Sequence, residues 1–223
     1  MKVFAVKAVP TVKWSSSHPL NFKPAPVTLF LLSVGLTLFG LGEALMIAAG
    51  FGVSPWLVFA EGIAQLTGFS IGLATVFISA MVLLLWIPLK QTPGLGTLLN
   101  ALIIAIVIDF SLPWLPSPQA FFFKGLEALA GIIIVGFGSA IYLMAHLGPG
   151  PRDGLMTGLQ RVTQYPIARV RTSIEIAVLT VGFFLGGTVG IGTFLFTFGI
   201  GPSVSAGLFV VSNLSSKGDD DER

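Results

Sequence analysis

Shifted against itself by 96 residues, without a gap, this sequence brings its helix breakers into register. Gly40 meets Gly136, Gly42 meets Gly138, Gly52 meets Gly148, Pro55 meets Pro151 and Gly62 meets Gly158. Thr67 meets Thr163, Ile71 meets Ile167, and the "GLGT" that begins at Gly94 meets the "GIGT" that begins at Gly190. Coincidences among Leu and Ala are cheap in an apolar chain. Coincidences among glycines and prolines are not, because each fixes a turn or a close approach. The chain is therefore expected to fold as two copies of one unit.

The environment of those copies follows from their surface chemistry. Only 10% of the residues are charged, 54% are hydrophobic, and the mean hydropathy is +0.92. A soluble domain carries about 25% charged residues to solvate its exterior. Lipid must cover most of this one. Cysteine is absent, which excludes disulfides, zinc thiolate sites, Fe–S clusters and thiol nucleophiles. The net charge of +2 is too small and too scattered for a nucleic-acid stripe. No metal, cofactor or nucleic-acid partner is expected.

A bilayer core of about 30 Å needs about 20 apolar residues in helix. Six runs qualify, near 27–49, 70–89, 95–113, 121–146, 166–186 and 190–212. Two segments are too short to span, 55–67 (PWLVFAEGIAQLT) and 151–163 (PRDGLMTGLQRVT). Each opens on a proline, which suits a first helical turn. In the second, Leu155, Met156, Leu159 and Val162 share a face. Both are expected to be short helices, interfacial or re-entrant. Residues 1–26 form a basic cytoplasmic arm, 27–120 the first membrane repeat, 121–212 the second and 213–223 a polar cytoplasmic tail.

Three spans per copy is an odd number, so the second copy is expected to be inverted relative to the first. Charge placement gives an independent test. With the N-terminus in the cytoplasm, eleven of the twelve Lys and Arg fall at the inner side, and only Lys124 falls outside. Both termini are thus assigned to the cytoplasm.

Ionisable groups in lipid cost about 2.5–3.5 kcal/mol at mid-helix, so each needs a reason. Glu43 lies deep in the first run, and Glu175 near the middle of the fifth with Arg171 one turn earlier. That spacing lets the pair neutralise itself as a structural device, or lets it line a polar cavity with Glu43. Asp109, at the end of the third run, is expected to snorkel to the interface. "LGPGPRDGLMTGL" at 147–159 joins two apolar runs through Gly148, Gly150, Arg152 and Asp153. A helix starting at Pro151 aims free N–H groups at this loop, a cradle for an anion or carboxylate. Arg152 alternatively serves only as a topology signal. "GIGP" at 199–202 is expected to interrupt its helix. Ser139 and His146 share a face, but no nucleophile elbow, HExxH or P-loop accompanies them, and no enzyme activity is expected.

These motifs carry a resemblance. "LGPGPRDGLMTGL", "VRTSIE" at 170–175, "GGTVGIGT" at 186–193 and "PGLGTLLN" at 93–100 resemble the bacterial YczE/YyaS/YitT-like membrane proteins, over about residues 27–212. The resemblance implies a multi-pass protein of the bacterial inner membrane and no particular substrate. It also marks Arg152, Asp153, Arg171 and Glu175 as motif positions. The first copy departs from the motif at Ser54-Pro55-Trp56, where related proteins often continue with an acidic residue. The expected function is transport of a small solute, an anion among the candidates. The competing expectation is a non-transporting membrane partner or assembly factor for another complex; the expected partners are lipid and either a second copy of the chain or a membrane partner protein.

Overall fold

The structure is a computed structural model that describes residues 9–217. Among the described residues it is all-helical, with eight α-helices and no strand. They are α1 (Pro26–Ala49), α2 (Pro55–Thr67), α3 (Ile71–Trp86), α4 (Leu95–Ser111), α5 (Phe121–Met144), α6 (Pro151–Thr163), α7 (Ile167–Phe184) and α8 (Ile191–Lys217). A short 3-10 turn, Leu112–Trp114, extends α4.

The 96-residue register is written into the backbone. The bounds of α2 map onto those of α6, and the starts of α3 and α4 onto those of α7 and α8. The left-handed residues follow the same rule. Gly50 pairs with His146, Gly52 (φ 106°) with Gly148 (φ 105°), Gly68 with Gln164, and Lys90 with Gly186. Those four pairs account for every positive φ among the described residues.

Contacts between the copies are reciprocal. The Gly96 amide donates to the Leu147 carbonyl at 2.7 Å, and the Gly192 amide donates to the Phe51 carbonyl at 2.7 Å. Each helix start is tied internally in the same way, with the Gly94 and Gly190 amides donating to the hydroxyls of Thr97 and Thr193. Gly52 is irreplaceable here, since its φ favours glycine and a Cβ would lie 2.6 Å from the Gly190 nitrogen.

Helices α1 and α5 form the central contact. Gly35 packs on the Gly138 carbonyl and Gly42 on the Gly131 carbonyl, so the two helices run antiparallel with their backbones touching. Small residues permit such an approach where lipid supplies no hydrophobic drive between helices. The buried core extends from there through Leu36, Leu57, Ile108 and Ile132. Large apolar residues cover the exterior, among them Phe110 (73% exposed) and Phe198 (77%). Apolar exposure on this scale belongs in lipid rather than water.

Four helical stretches are long and apolar enough to cross a membrane: α1, α4 with its 3-10 extension, α5 and α8. Helices α2 and α3 meet at a bend of 110° and make a fifth if counted as one span. Over the second and fifth expected runs, α3 and α7 have 16 and 18 residues. At about 1.5 Å per residue they reach about 24 and 27 Å.

Several expectations are corrected. "GIGP" does not interrupt its helix, because α8 runs through Pro202 without a break. Transmembrane helices tolerate the lost N–H; beside it the Ser203 hydroxyl donates to the Ile133 carbonyl at 3.2 Å and ties α8 to α5. Helix α8 continues through residues 213–217 at the start of the polar tail. Residues 9–16 of the arm pack on α5 and α8. The Ser16 amide donates to the Ala145 carbonyl, and the Trp14 indole donates to Ser215 at 3.2 Å. Asp109 caps α3 instead of snorkelling, accepting from the Gly72 amide at 2.8 Å and from the Ser70 hydroxyl.

Candidate functional site

Every α-helix contributes to one partly open cavity of about 250 Å³. Its lining obeys the repeat. Phe39 and Val135, Glu43 and Ser139, Ser54 and Gly150, Trp56 and Arg152 all line it as pairs 96 residues apart. So do Thr75 and Arg171, Ser79 and Glu175, Asn100 and Phe196, and Ile104 and Ile200. Residues related by the repeat meet there, so the cavity lies where the two copies face each other. Trp56 and Arg152 even touch, the guanidinium carbon lying 5.2 Å from the indole ring centre.

Two short helices position the polar groups. Both α2 and α6 begin at the cavity wall, α2 through Ser54, Pro55 and Trp56, α6 through Gly150, Arg152 and Asp153. A first helical turn leaves N–H groups unpaired and carries a partial positive charge, so both starts favour negative charge between them. Carboxylates answer in each copy. Glu43, 1% exposed, accepts from the Ser54 hydroxyl at 3.0 and 3.1 Å. Asp153 accepts from the Tyr142 hydroxyl. The Trp86 indole holds the start of α6 by donating to the Pro151 carbonyl at 3.0 Å.

The charge is divided unequally between the copies. Arg152, Arg171 and Glu175 in the second copy stand opposite Trp56, Thr75 and Ser79 in the first, whereas Glu43 stands opposite Ser139. Arg171 donates through Nε to Glu175 Oε1 at 2.8 Å, the one-turn pair that the spacing allows. Arg152 is held differently. It stacks on Trp56, feels the charges of Glu43 and Asp153, and makes no hydrogen bond among the described residues.

Of the residues singled out in the sequence, Glu43, Gly150, Arg152, Asp153, Arg171 and Glu175 converge on this cavity. Gly148 does not. Its positive φ and its packing against Gly94 and Thr97 make it part of the joint between the copies. Trp56, Ser54, Ser79 and Ser139 line the cavity too, and subtracting or adding 96 to the charged and glycine positions points to each of them. Asn100 and Tyr142 had no such signal, because their counterparts are Phe196 and Met46.

A model described as a family of unknown function, DUF6198, matches residues 27–207. An uncharacterized protein of Haemophilus influenzae is 41% identical, covering 94% of this chain and 95% of its own. The uncharacterized membrane protein YczE of Bacillus subtilis is 31% identical, with 75% of each chain covered. The uncharacterized protein YyaS of the same organism is 29% identical over 73% of this chain and 83% of its own. No solved structure matches. The chain is an integral membrane protein that belongs to the DUF6198 family and is YczE/YyaS-like.

Proposed function

We propose that the protein is a transporter of a small polar solute in the bacterial inner membrane, built from two inverted three-span repeats with both termini in the cytoplasm. The carrying observation is the cavity at the repeat interface, lined in pairs by equivalent residues of the two copies. Inversion is supported by the antiparallel α1 and α5, which are equivalent helices, and by the reciprocal Gly96–Leu147 and Gly192–Phe51 bonds. In this arrangement α3 and α7 complete six crossings, and α2 and α6 re-enter from opposite faces to meet at the cavity. Many transporters place short half-helices and their solute site at such an interface, because rocking one repeat against the other exposes the same site to either side. The size fits a small cargo, since about 250 Å³ lies below the roughly 300–1,000 Å³ of pockets for drug-sized ligands.

Three single-cysteine variants test this in a chain with no native cysteine. Thr92→Cys and Thr188→Cys sit at equivalent loop positions of the two copies. A membrane-impermeant maleimide applied to intact inner-membrane vesicles of each orientation is expected to reach Thr188→Cys only from the periplasmic face and Thr92→Cys only from the cytoplasmic face. Ser79→Cys, inside the cavity, is expected to react with a small charged methanethiosulfonate from both faces. Labelling of both loop sites from one face removes the inversion. Ser79→Cys labelling from a single face removes transport and favours a membrane partner protein.

A further inference from the structure

We infer that the cavity binds a small zwitterion, a carboxylate and a protonated amine on one compact molecule of amino-acid size; this rests on the cavity being a solute site. The first support is charge balance. Glu43, Asp153 and Glu175 face Arg152 and Arg171, three carboxylates against two guanidiniums, for a formal charge of −1. The starts of α2 and α6 bring about +0.5 each to the same space. With all five side chains ionised the total lies near zero. An added anion or cation would leave an uncompensated charge among Phe39, Ile104, Val135, Phe196 and Ile200, where charge is poorly solvated. A solute with no net charge does not.

The second support is the set of polar groups with nothing to bind. Arg152 has five N–H donors in a fork that fits a carboxylate, and none is engaged in a hydrogen bond among the described residues. Contact with the Trp56 ring, 5.2 Å from the guanidinium carbon, restrains that fork. The Asn100 amide and the Ser79 and Ser139 hydroxyls also line the cavity without hydrogen-bond partners among the described residues, and both serines are only 6% exposed. Acceptors are available as well. Asp153 and Glu175 each use one oxygen, for Tyr142 and Arg171, and each keeps the other. Donors for a carboxylate and acceptors for an ammonium therefore line one small, mostly apolar chamber. Its apolar walls suit a short aliphatic side chain.

The test is thermal unfolding of the full chain in detergent with millimolar glycine, L-alanine, L-valine or L-proline, alongside acetate and methylammonium as the two separated ends. At least one amino acid is expected to raise the Tm in a saturable way, while acetate and methylammonium do not. Arg152→Ala and Asn100→Ala are expected to abolish the response. Should Arg152→Ala fail to fold, Arg152→Lys keeps the charge without the fork and is expected to need about tenfold more ligand for the same shift. No shift with any of the four amino acids overturns the proposal, and so does an equal shift with acetate or methylammonium alone. The two assignments fail separately. Two-sided Ser79→Cys labelling without an amino-acid shift removes the zwitterion and leaves transport; a shift with one-sided labelling does the reverse.

Discussion

Gly138→Leu is expected to leave almost no folded protein in detergent. A Cβ at this position would lie 2.6 Å from both the Gly35 carbonyl oxygen and the Phe39 nitrogen, and those atoms are backbone of α1. A flexible side chain could swing away, but a helix backbone cannot. Overpacking commonly costs about 1–3 kcal/mol when neighbours can adjust. Here the whole α1–α5 contact must part, against a total stability of about 5–15 kcal/mol. Gly35→Leu is expected to fail alike, since its Cβ would lie 2.9 Å from the Gly138 oxygen. Gly201→Ala is the control, because nothing lies within 4 Å of its added methyl. It is expected to keep the wild-type Tm or raise it slightly through helix propensity. Size-exclusion profiles and melting curves decide the matter. A Gly138→Leu protein that elutes as one peak and melts near the wild type would mean that α1 and α5 do not touch as described.

What could be read from the sequence was whatever depends on local chain stiffness. Ser54-Pro55 and Gly150-Pro151 start α2 and α6, and the short segments 55–67 and 151–163 were bounded correctly because a proline opens each and a left-handed residue closes each. The 96-residue register was legible for the same reason, since breakers resist drift in a way that Leu and Ala do not. Features that depend on distant partners were not legible. Asp109 caps a helix 37 residues earlier in the chain, and nothing near it in sequence says so. Pro202 looked like a stop because its missing N–H breaks helices in water, a rule that packing within a lipid-facing bundle relaxes.

The site was legible where charge is costly. Glu43, Arg171 and Glu175 stood out as ionisable groups in apolar runs, and all three line the cavity. Neutral groups carry no such flag. Trp56 and Tyr142 read as ordinary apolar-run aromatics, yet one forms the floor under Arg152 and the other fixes Asp153. Gly148 sits beside the expected anion cradle but does not line the cavity; its φ of 105° serves the joint with α4. Glycine spacing marks where backbones come close without saying whether the neighbour is a ligand or another helix.

Trp86 and Gly154 offer the sharpest expected non-additivity. Trp86 is 1% exposed, ends α3, and lays its ring where a Gly154 side chain would otherwise go. Its indole N–H also holds the Pro151 carbonyl. Trp86→Ala is expected to cost about 3–5 kcal/mol from the void. Leaving the Pro151 carbonyl unpaired adds about 1–3 kcal/mol. Gly154→Leu alone is expected to be at least as damaging, because its side chain must displace the ring. Combined, the two changes place a leucine in the space that the indole vacates. The double variant is therefore expected to be more stable than Gly154→Leu alone and to recover part of the Tm lost in Trp86→Ala. Trp86→Phe separates packing from hydrogen bonding, filling most of the volume without the donor, and is expected to melt between wild type and Trp86→Ala. Because the first turn of α6 carries Arg152 and Asp153, loosening it should also change how readily Ser79→Cys reacts in the cavity. Melting temperatures of the four proteins in the cycle give the coupling directly. Strictly additive losses would mean that residues 86 and 154 are not in contact, and the support given to the start of α6 would have to come from elsewhere.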